Sequence, residues 1–411
     1  MLAANSVGMS FSRFTFASLL FVLGCTSTTA ASDAPPGDAV IPTAPPPDVT
    51  TTPTPPPAPP SAPSRPDGRR LTKLSGPVLA NPVVVPIFWG DDPDRAGVEA
   101  MLAQLPGSSY WKLLAEYGVG DVKVQPSVTV APISSASFSL NDVEATLAPF
   151  LADADGTQIY ALMIPKATSV TNTDGSPFCN SGYGYHESAM KGAVEYSYAV
   201  SAHCDPTVAG FTVTVTHELI EAATDPLPLT KPAWAGTDPG HVGFRGEIGD
   251  LCDFGGSLRG MGAPMFGTKV ERVFSNTKAA KGGDPCLPDI GLPYFDAAPI
   301  PSDDVTVSDF VLGSTTGRGV KVPVGKSKKI PLVLYADRDV PEWTVNASAI
   351  ANMVQESTSI KATLDRQRGK AGDVLVLTVQ RVASSGDAGD LVLINSIGDT
   401  AQWFDTLAVS E

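Results

Sequence analysis

The stretch FTVTVTHELIEAATDP (211–226) decides how this chain folds, and it can be read two ways. FTVTVT alternates apolar and polar residues with period two, which is the pattern of a half-buried strand. HELIEAAT is built from good helix formers. If a strand ran through to His217, a helix would begin too late to organise the polar residues that follow. The preceding DPTVAG (205–210) offers a cap at Asp205 or Thr207. Leu219, Ile220, Ala222 and Ala223 offer a side to bury, and Pro226 disfavours helical geometry at Asp225. The pattern predicts one helix over about 208–224.

On that helix His217 and Glu221 are four residues apart and leave the same face, so both can meet one ion. Glu218 is rotated by about 100° and sits beside that ion. In H-E-x-x-H hydrolases this is the position of the general base, and here Glu221 stands where the second histidine would be. Carboxylates bind zinc, and catalytic sites commonly use three protein ligands. The third is expected from GEIGDLCDFGG (246–256), where Glu247 and Asp250 share a face if the segment is helical. The arrangement resembles the gluzincin plan, which implies Glu247 as ligand and Asp250 as the partner that orients His217. The spacing also admits the exchanged roles. Asp225, at the helix end, is a further outer partner. A His-Glu-Glu set neutralises zinc more fully than His-His-Glu, so its water is less acidified. The harder oxygen donors also admit Mn²⁺, Fe²⁺ or Ca²⁺ beside Zn²⁺.

His186 lies in FCNSGYGYHESAM (178–190), whose glycines and tyrosines suggest a loop near the cleft. It is a candidate to stabilise a tetrahedral intermediate or to bind metal, against the plain alternative of a satisfied loop histidine. Tyr183 and Tyr185 are possible donors to the same oxyanion. His203 and His241 read as structural or exposed, with His241 a weak fourth-ligand candidate.

The surroundings of this segment are legible too. The chain has 411 residues and a formal charge of −15, which argues against a nucleic-acid surface. FTFASLLFVLG (14–24) has signal-peptide length and ends at VLGC, which resembles a lipobox with Cys25 as the lipidated residue. Cleavage of an ordinary secretory signal nearby is the alternative, and Met9 offers a more ordinary start. Residues 26–71, with PPPDVTTTPTPPPAPP (45–60), have little to bury and read as an extended tether. Removing Cys25 leaves Cys179, Cys204, Cys252 and Cys286, enough for two disulfides in an oxidising envelope. Three pairings are possible, and joining sequence neighbours is the simplest.

Residues 72–298 mix strands and helices. VVVPIFW (83–89), DVKVQPSVTVAP (121–132), QIYALMIP (158–165) and VEYSYAVSA (194–202) read as strands. DPDRAGVEAMLAQL (92–105) and SLNDVEATLAPFLADA (139–154) read as helices. Residues 299–411 become short alternating segments with Gly, Asp and Lys turns, an Ig-like β-sandwich in expectation. There AIANMVQES (349–357) could be a short helix or turn. The predicted class is α+β with a zincin-like mixed sheet, followed by this all-β module.

PVVVPIFWG (82–90), CNSGYGYHES (179–188), YAVSAHC (198–204), THELIEAATDP (216–226) and GEIGDLC (246–252), in that order, resemble bacterial secreted relatives of the EXORDIUM / phosphate-induced protein group. These relatives are similar to zincin metallopeptidases, and the resemblance spans roughly 75–295. It implies a metallopeptidase acting on peptide or protein, with zinc held by His217, Glu221 and Glu247 and Glu218 as base; together with the lipobox, the expectation is a monomeric, lipid-anchored envelope protein. The expected location is the bacterial outer membrane, reached through the N-terminal lipid. The alternative is a non-catalytic protein that binds a cell-wall polymer or partner and keeps a structural or relic ion site. A third reading pairs Glu218 and Glu247 as glycosidase carboxylates across a cleft, with no metal between them.

Overall fold

The computed structural model describes residues 70–90, 92–130, 137–166, 168–180, 182–205, 207–236, 247–253, 262–309, 313–351, 355–384 and 390–411. Cys25, the signal run, the tether up to residue 69 and His241 lie outside these residues.

The first half is built on a mixed sheet. Its strands are β1 (Val83–Trp89), β2 (Lys123–Val124), β3 (Val128–Val130), β4 (Gln158–Ile164), β5 (Gly184–Lys191) and β6 (Val194–Ala202). Their order is β2–β1–β4–β6–β5, with β3 also beside β1. All pairings are parallel except that of β5 with β6. Parallel strands are covered on both faces and therefore read as unbroken apolar runs, as VVVPIFW and QIYALMI do. The pleat sends Val84, Phe88, Ile159, Ala161, Met163 and Ala199 to one core. Val85, Ile87, Trp89, Tyr160, Leu162 and Val200 go to a second core on the opposite face.

Between β1 and β2 the chain forms α1 (Arg95–Leu102), shorter than the pattern from 92 to 105 suggests. Residues 139–154 are not one helix but two 3₁₀ turns, Leu140–Asp142 and Ala148–Phe150, around the short helix Val143–Leu147. Pro149 has no N–H to extend the helical ladder, which accounts for the break.

The decisive stretch is a helix, α2 (Val208–Thr224). Thr207 caps it, its hydroxyl accepting from the Gly210 N–H at 3.0 Å. Asp205 Oδ1 in turn accepts from the Thr207 N–H at 2.7 Å. The period-two alternation has a helical explanation. Phe211 through Thr216 are all buried, and the hydroxyls of Thr212 and Thr216 bond backward along the helix. Thr212 Oγ1 donates to the Ala209 carbonyl at 3.1 Å and Thr216 Oγ1 to the Thr212 carbonyl at 2.8 Å. Hydroxyls satisfied in this way can be buried at little cost, so threonine does not mark a solvent face here.

Of the three disulfide pairings the sequence-neighbour one forms, Cys179–Cys204 and Cys252–Cys286, with Cα–Cα distances of 5.4 and 5.7 Å. Among the described residues no helix is long and apolar enough to cross a membrane.

The second half is all β. One sheet contains Phe295–Pro299, Ser327–Ala336, Val374–Arg381 and Ile360–Leu364 in that order. The other is assembled around Asp303–Asp309, Gly313–Lys321, Gln402–Ser410, Asp390–Ile397 and Trp343–Ala351. Leu332, Leu334, Leu375 and Leu377 of the first share a core with Val345, Val392, Ile394 and Leu407 of the second. The module begins four residues before the expected boundary at 299, because Phe295–Pro299 pairs with Leu332–Ala336. AIANMVQES is not helical where it is described. Its start completes the strand Trp343–Ala351, and Gln355–Glu356 folds back onto Ile350 and Ala351.

Candidate metal centre

His217 leaves α2 with each ring nitrogen facing carboxylate. Its Nε2 lies 3.1 Å from Glu221 Oε1 and 3.5 Å from Asp250 Oδ1. Its Nδ1 lies 3.5 Å from Glu271 Oε2. One ligand atom from each of His217, Glu221 and Asp250 can be chosen so that all lie within 4.8 Å of one another. Zinc ligands at about 2.0–2.2 Å from a tetrahedral ion are themselves about 3.4 Å apart, so the donor set fits a divalent ion. A carboxylate behind the distal nitrogen is the usual way to fix the tautomer of a metal-binding histidine.

Asp250 is the carboxylate that stands beside His217, and Glu247 stands beside His186. The physical reason is local. Among the described residues of this segment, Asp250–Asp253 are helical and Glu247 precedes them in a turn. Gly249 makes that turn press against the helix. A Cβ there would come within 2.8 Å of His217 Nδ1 and 3.0 Å of Glu221 Oε1. The N–H groups of Gly249 and Asp250 both donate to Glu221 Oε1 at 3.2 Å. The Cys252–Cys286 bridge holds the same turn from its other end.

His186 is on an edge strand rather than in a loop. GYHESAMK pairs residue for residue with β6, and the pleat turns Gly184 and His186 toward α2. His186 Nδ1 lies 3.5 Å from Glu221 Oε2 and 3.8 Å from Glu218 Oε2. Its Nε2 lies 3.1 Å from the Asp225 carbonyl oxygen and 3.6 Å from Glu247 Oε1. It therefore binds the two ends of the helical motif together, and His186, Glu218 and Glu221 form a second, overlapping ligand group. Gly184 is required beside it, since a Cβ would meet Glu218 Oε1 at 2.4 Å. Asp225 Oδ1 accepts from the Ala233 N–H at 2.8 Å, which ties off the helix end. Glu218 and Glu247 both converge on His186, so they do not straddle an open cleft as a glycosidase pair would.

Exposure separates the two groups. The side chains of His186, Glu218 and Glu221 are only 3–5% exposed, while those of His217, Asp250 and Glu247 keep 14%, 19% and 20%. The His217–Asp250 side is the more accessible of the two.

Among the described residues, no Lys or Arg forms an ion pair with Glu218, Glu221, Glu247, Asp250 or Glu271. Arg272, next to Glu271, turns away to Asp284 and the Cys286 carbonyl. Burial works against protonating either histidine, but the carboxylates around them override it and hold both pKa values well above the ordinary range. Burial pushes the Glu218 carboxyl up to about 7, although His186 and His217 oppose it. Burial likewise raises Glu247 and Asp250, reinforced by neighbouring carboxylates. Glu221 goes the other way. His217 and His186 outweigh its burial and hold it below the usual range.

Glu271 was not visible as a site residue in the sequence. The one trace it leaves is a pair of adjacent charges inside the apolar run KVERVF (269–274). His203 is not solvent-exposed: its side chain is 1% exposed and its ring stacks on Phe211.

No family model matches the chain, and no curated protein matches it. Among solved structures it is similar to immunoglobulin-type domains. Titin M4 matches with 19% identity and a TM-score of 0.15 over 28% of this chain and 96% of that one. The titin M10–obscurin-like 1 Ig complex matches with 13% identity and a TM-score of 0.17 over 29% of this chain and 91% of that one. The chain is mostly β, with Ig-like neighbours.

Proposed function

We propose that the α/β half is a metal-dependent hydrolase of zincin type, acting on peptide or protein at the bacterial cell surface. The observation that carries this reading is the setting of His217, with Nε2 between Glu221 and Asp250 and Nδ1 backed by Glu271. A helix bearing the motif beneath a mixed sheet with one antiparallel edge strand is the arrangement expected of a zincin-like domain. His217, Glu221 and Asp250 would hold the ion, with Zn²⁺ favoured and Mn²⁺, Fe²⁺ or Ca²⁺ admitted by the oxygen donors. A divalent ion there would polarise a scissile carbonyl and acidify a water.

The chain's own residues then divide the remaining work. Glu218, with its pKa pushed up by burial, takes and returns the proton. The N–H groups of Gly249 and Asp250 keep Glu221 in place. Glu271 keeps the His217 ring turned, and His186 holds the Asp225 carbonyl and packs Glu218. Export and lipid anchoring through Cys25 belong to the same proposal, supported by two disulfides that suit an oxidising compartment.

A second reading is supported by the burial of His186, Glu218 and Glu221. An ion confined there would be closed to substrate and structural, and the protein would bind a wall polymer or partner without catalysis.

The test uses the full chain, exported to an oxidising envelope and extracted in detergent without chelators. Metal content and peptide-library cleavage are measured for wild type, His217→Ala and Glu218→Gln. The expected result is that His217→Ala loses one equivalent of metal. Glu218→Gln should keep the metal and lose about 10²–10⁴-fold of the cleavage rate. Loss of metal in Glu218→Gln would favour the closed site. Metal content unchanged in His217→Ala would overturn the reading.

A further inference from the structure

A second group of ligand side chains stands at the carboxyl edge of the same sheet. Asp92 and Asp94 follow the end of β1 at Trp89, and His203 follows the last residue of β6, Ala202. These two strands flank β4, so the three side chains converge above the point where parallel strands end. His203 Nε2 lies 3.8 Å from Asp92 Oδ2 and 3.6 Å from Asp94 Oδ2. One donor atom from each lies within 4.8 Å of the others.

The burial of this group is what demands an explanation. The side chains of His203 and Asp92 are 1% and 0% exposed. Among the described residues neither ring nitrogen of His203 has a hydrogen-bond partner, and neither does Asp92 Oδ2. The histidine–carboxylate distances are too long for hydrogen bonds. Buried imidazoles and carboxylates are ordinarily satisfied, and leaving three such atoms unpaired is costly. The same distances suit atoms that lie on different sides of one small cation, each about 2.0–2.2 Å from it.

The positions are also held firmly. Asp92 Oδ1 accepts from the Asp94 N–H at 3.0 Å, which commits one oxygen and leaves Oδ2 turned to the histidine. The His203 ring stacks on Phe211 with centroids 3.5 Å apart and planes 21° from parallel. The next residue, Cys204, is bridged to Cys179.

We propose that Asp92, Asp94 and His203 form a second divalent-metal site, of Zn²⁺ or Mn²⁺ type, separate from the one containing His217. One imidazole with two carboxylates is a donor set for such borderline to hard ions. Asp94, 17% exposed, lies on the side from which the ion enters and where water completes the shell. The site joins the strand edge to the first turn of α2 through Phe211. Phe211 is six residues, about 9 Å along the axis, from His217. It rests on different ligands from those proposed for hydrolysis and does not depend on that reading.

The experiment uses the full chain in detergent, stripped of metal and titrated with Zn²⁺ and, separately, Mn²⁺, in the His217→Ala background, which breaks the His217, Glu221 and Asp250 group, while Asp94→Asn tells the new site from any ion held by His186, Glu218 and Glu221. The parent should bind one Zn²⁺ per chain and gain thermal stability from it. Adding Asp94→Asn, which changes no size and sits at the half-open corner, should abolish both effects while leaving the metal-free melting temperature unchanged. His203→Ala should do the same to binding. Two outcomes would overturn the proposal. One is a folded His217→Ala protein, with both disulfides intact, that binds neither ion. The other is Asp94→Asn and His203→Ala variants that titrate like their parent. If His217→Ala binds as much metal as wild type and Asp94→Asn removes it, the second site stands and the hydrolase site falls.

Discussion

Each half of this molecule buries a cluster of charged side chains, and the two clusters are built on opposite terms. In the sandwich, Arg381 is fully buried and all three of its nitrogens donate. They reach the Val322 carbonyl at 2.8 Å, Asp390 Oδ2 at 2.9 Å and the Val409 carbonyl at 3.2 Å. Asp390 Oδ1 accepts from the hydroxyls of Ser357 and Ser359, both at 2.6 Å. One positive charge meets one negative charge and the lone pairs are used. In the α/β half, five carboxylates surround two histidines, among the described residues no Lys or Arg pairs with them, and Glu247 Oε1 has no hydrogen-bond partner. A closed, balanced cluster pins strands together. An open, anion-rich one is the kind of cluster that the proposed cation would complete.

The contrast can be broken most forcefully at the sandwich. Arg381→Met leaves Asp390 buried and uncompensated, and should cost about 3–5 kcal/mol in urea denaturation with no change in bound metal. Restoring most of that stability with Asp390→Leu in the same chain would confirm a structural pair. A small loss from the single substitution would mean that the balance has been misjudged.

Gly249→Ala strikes the other cluster. Its Cβ would crowd His217 Nδ1 and Glu221 Oε1, and overpacking of this kind costs about 1–3 kcal/mol. The variant should lose metal affinity by calorimetric titration as well as stability. Gly283→Ala is the control, because no atom lies within 4 Å of its added Cβ. Equal behaviour of the two variants would remove Gly249 from the site.

Glu271→Gln sharpens the comparison more gently. It keeps the shape and removes the charge behind His217, and should lower metal affinity about 10–100-fold with little change in unfolding. An unchanged affinity would show that Glu271 does not orient the ring. Smallest is Thr207→Ala. Losing the helix cap should cost about 1 kcal/mol of stability and leave metal affinity as it was. A drop in affinity here would mean that the helix start and the ligand set are not independent.

Much of the site was readable along the chain because it lies on one helix. The spacing of His217, Glu218 and Glu221 is a local property, and cap, buried side and Pro226 all bounded the same segment. Where the reading slipped, a distant segment was responsible. The loop expected at 178–190 is a strand from Gly184 onward, because β6 offers it an edge to pair with. Gly184 in GYGYHES marks close approach to Glu218, not freedom of the backbone. Asp250 stands beside His217 and Glu247 beside His186 because a turn, pressed against α2 by Gly249, precedes Asp250. Glu271 arrives from a segment 50 residues past the motif with no pattern to announce it.

By itself the sequence determined the elements whose signals repeat within a turn or a pleat: the buried strands, the HE-motif helix with His217 and Glu221 on one side, and the alternating strands of the second half. It also determined that four cysteines remained to pair. Only the tertiary structure decided which cysteines met, which acid stood beside His217, why His186 belongs to the site, and that Asp92, Asp94 and His203 converge. Periodicity is set by backbone geometry over a few residues, whereas these contacts depend on where strand ends and turns come to rest after the sheet and helix have packed.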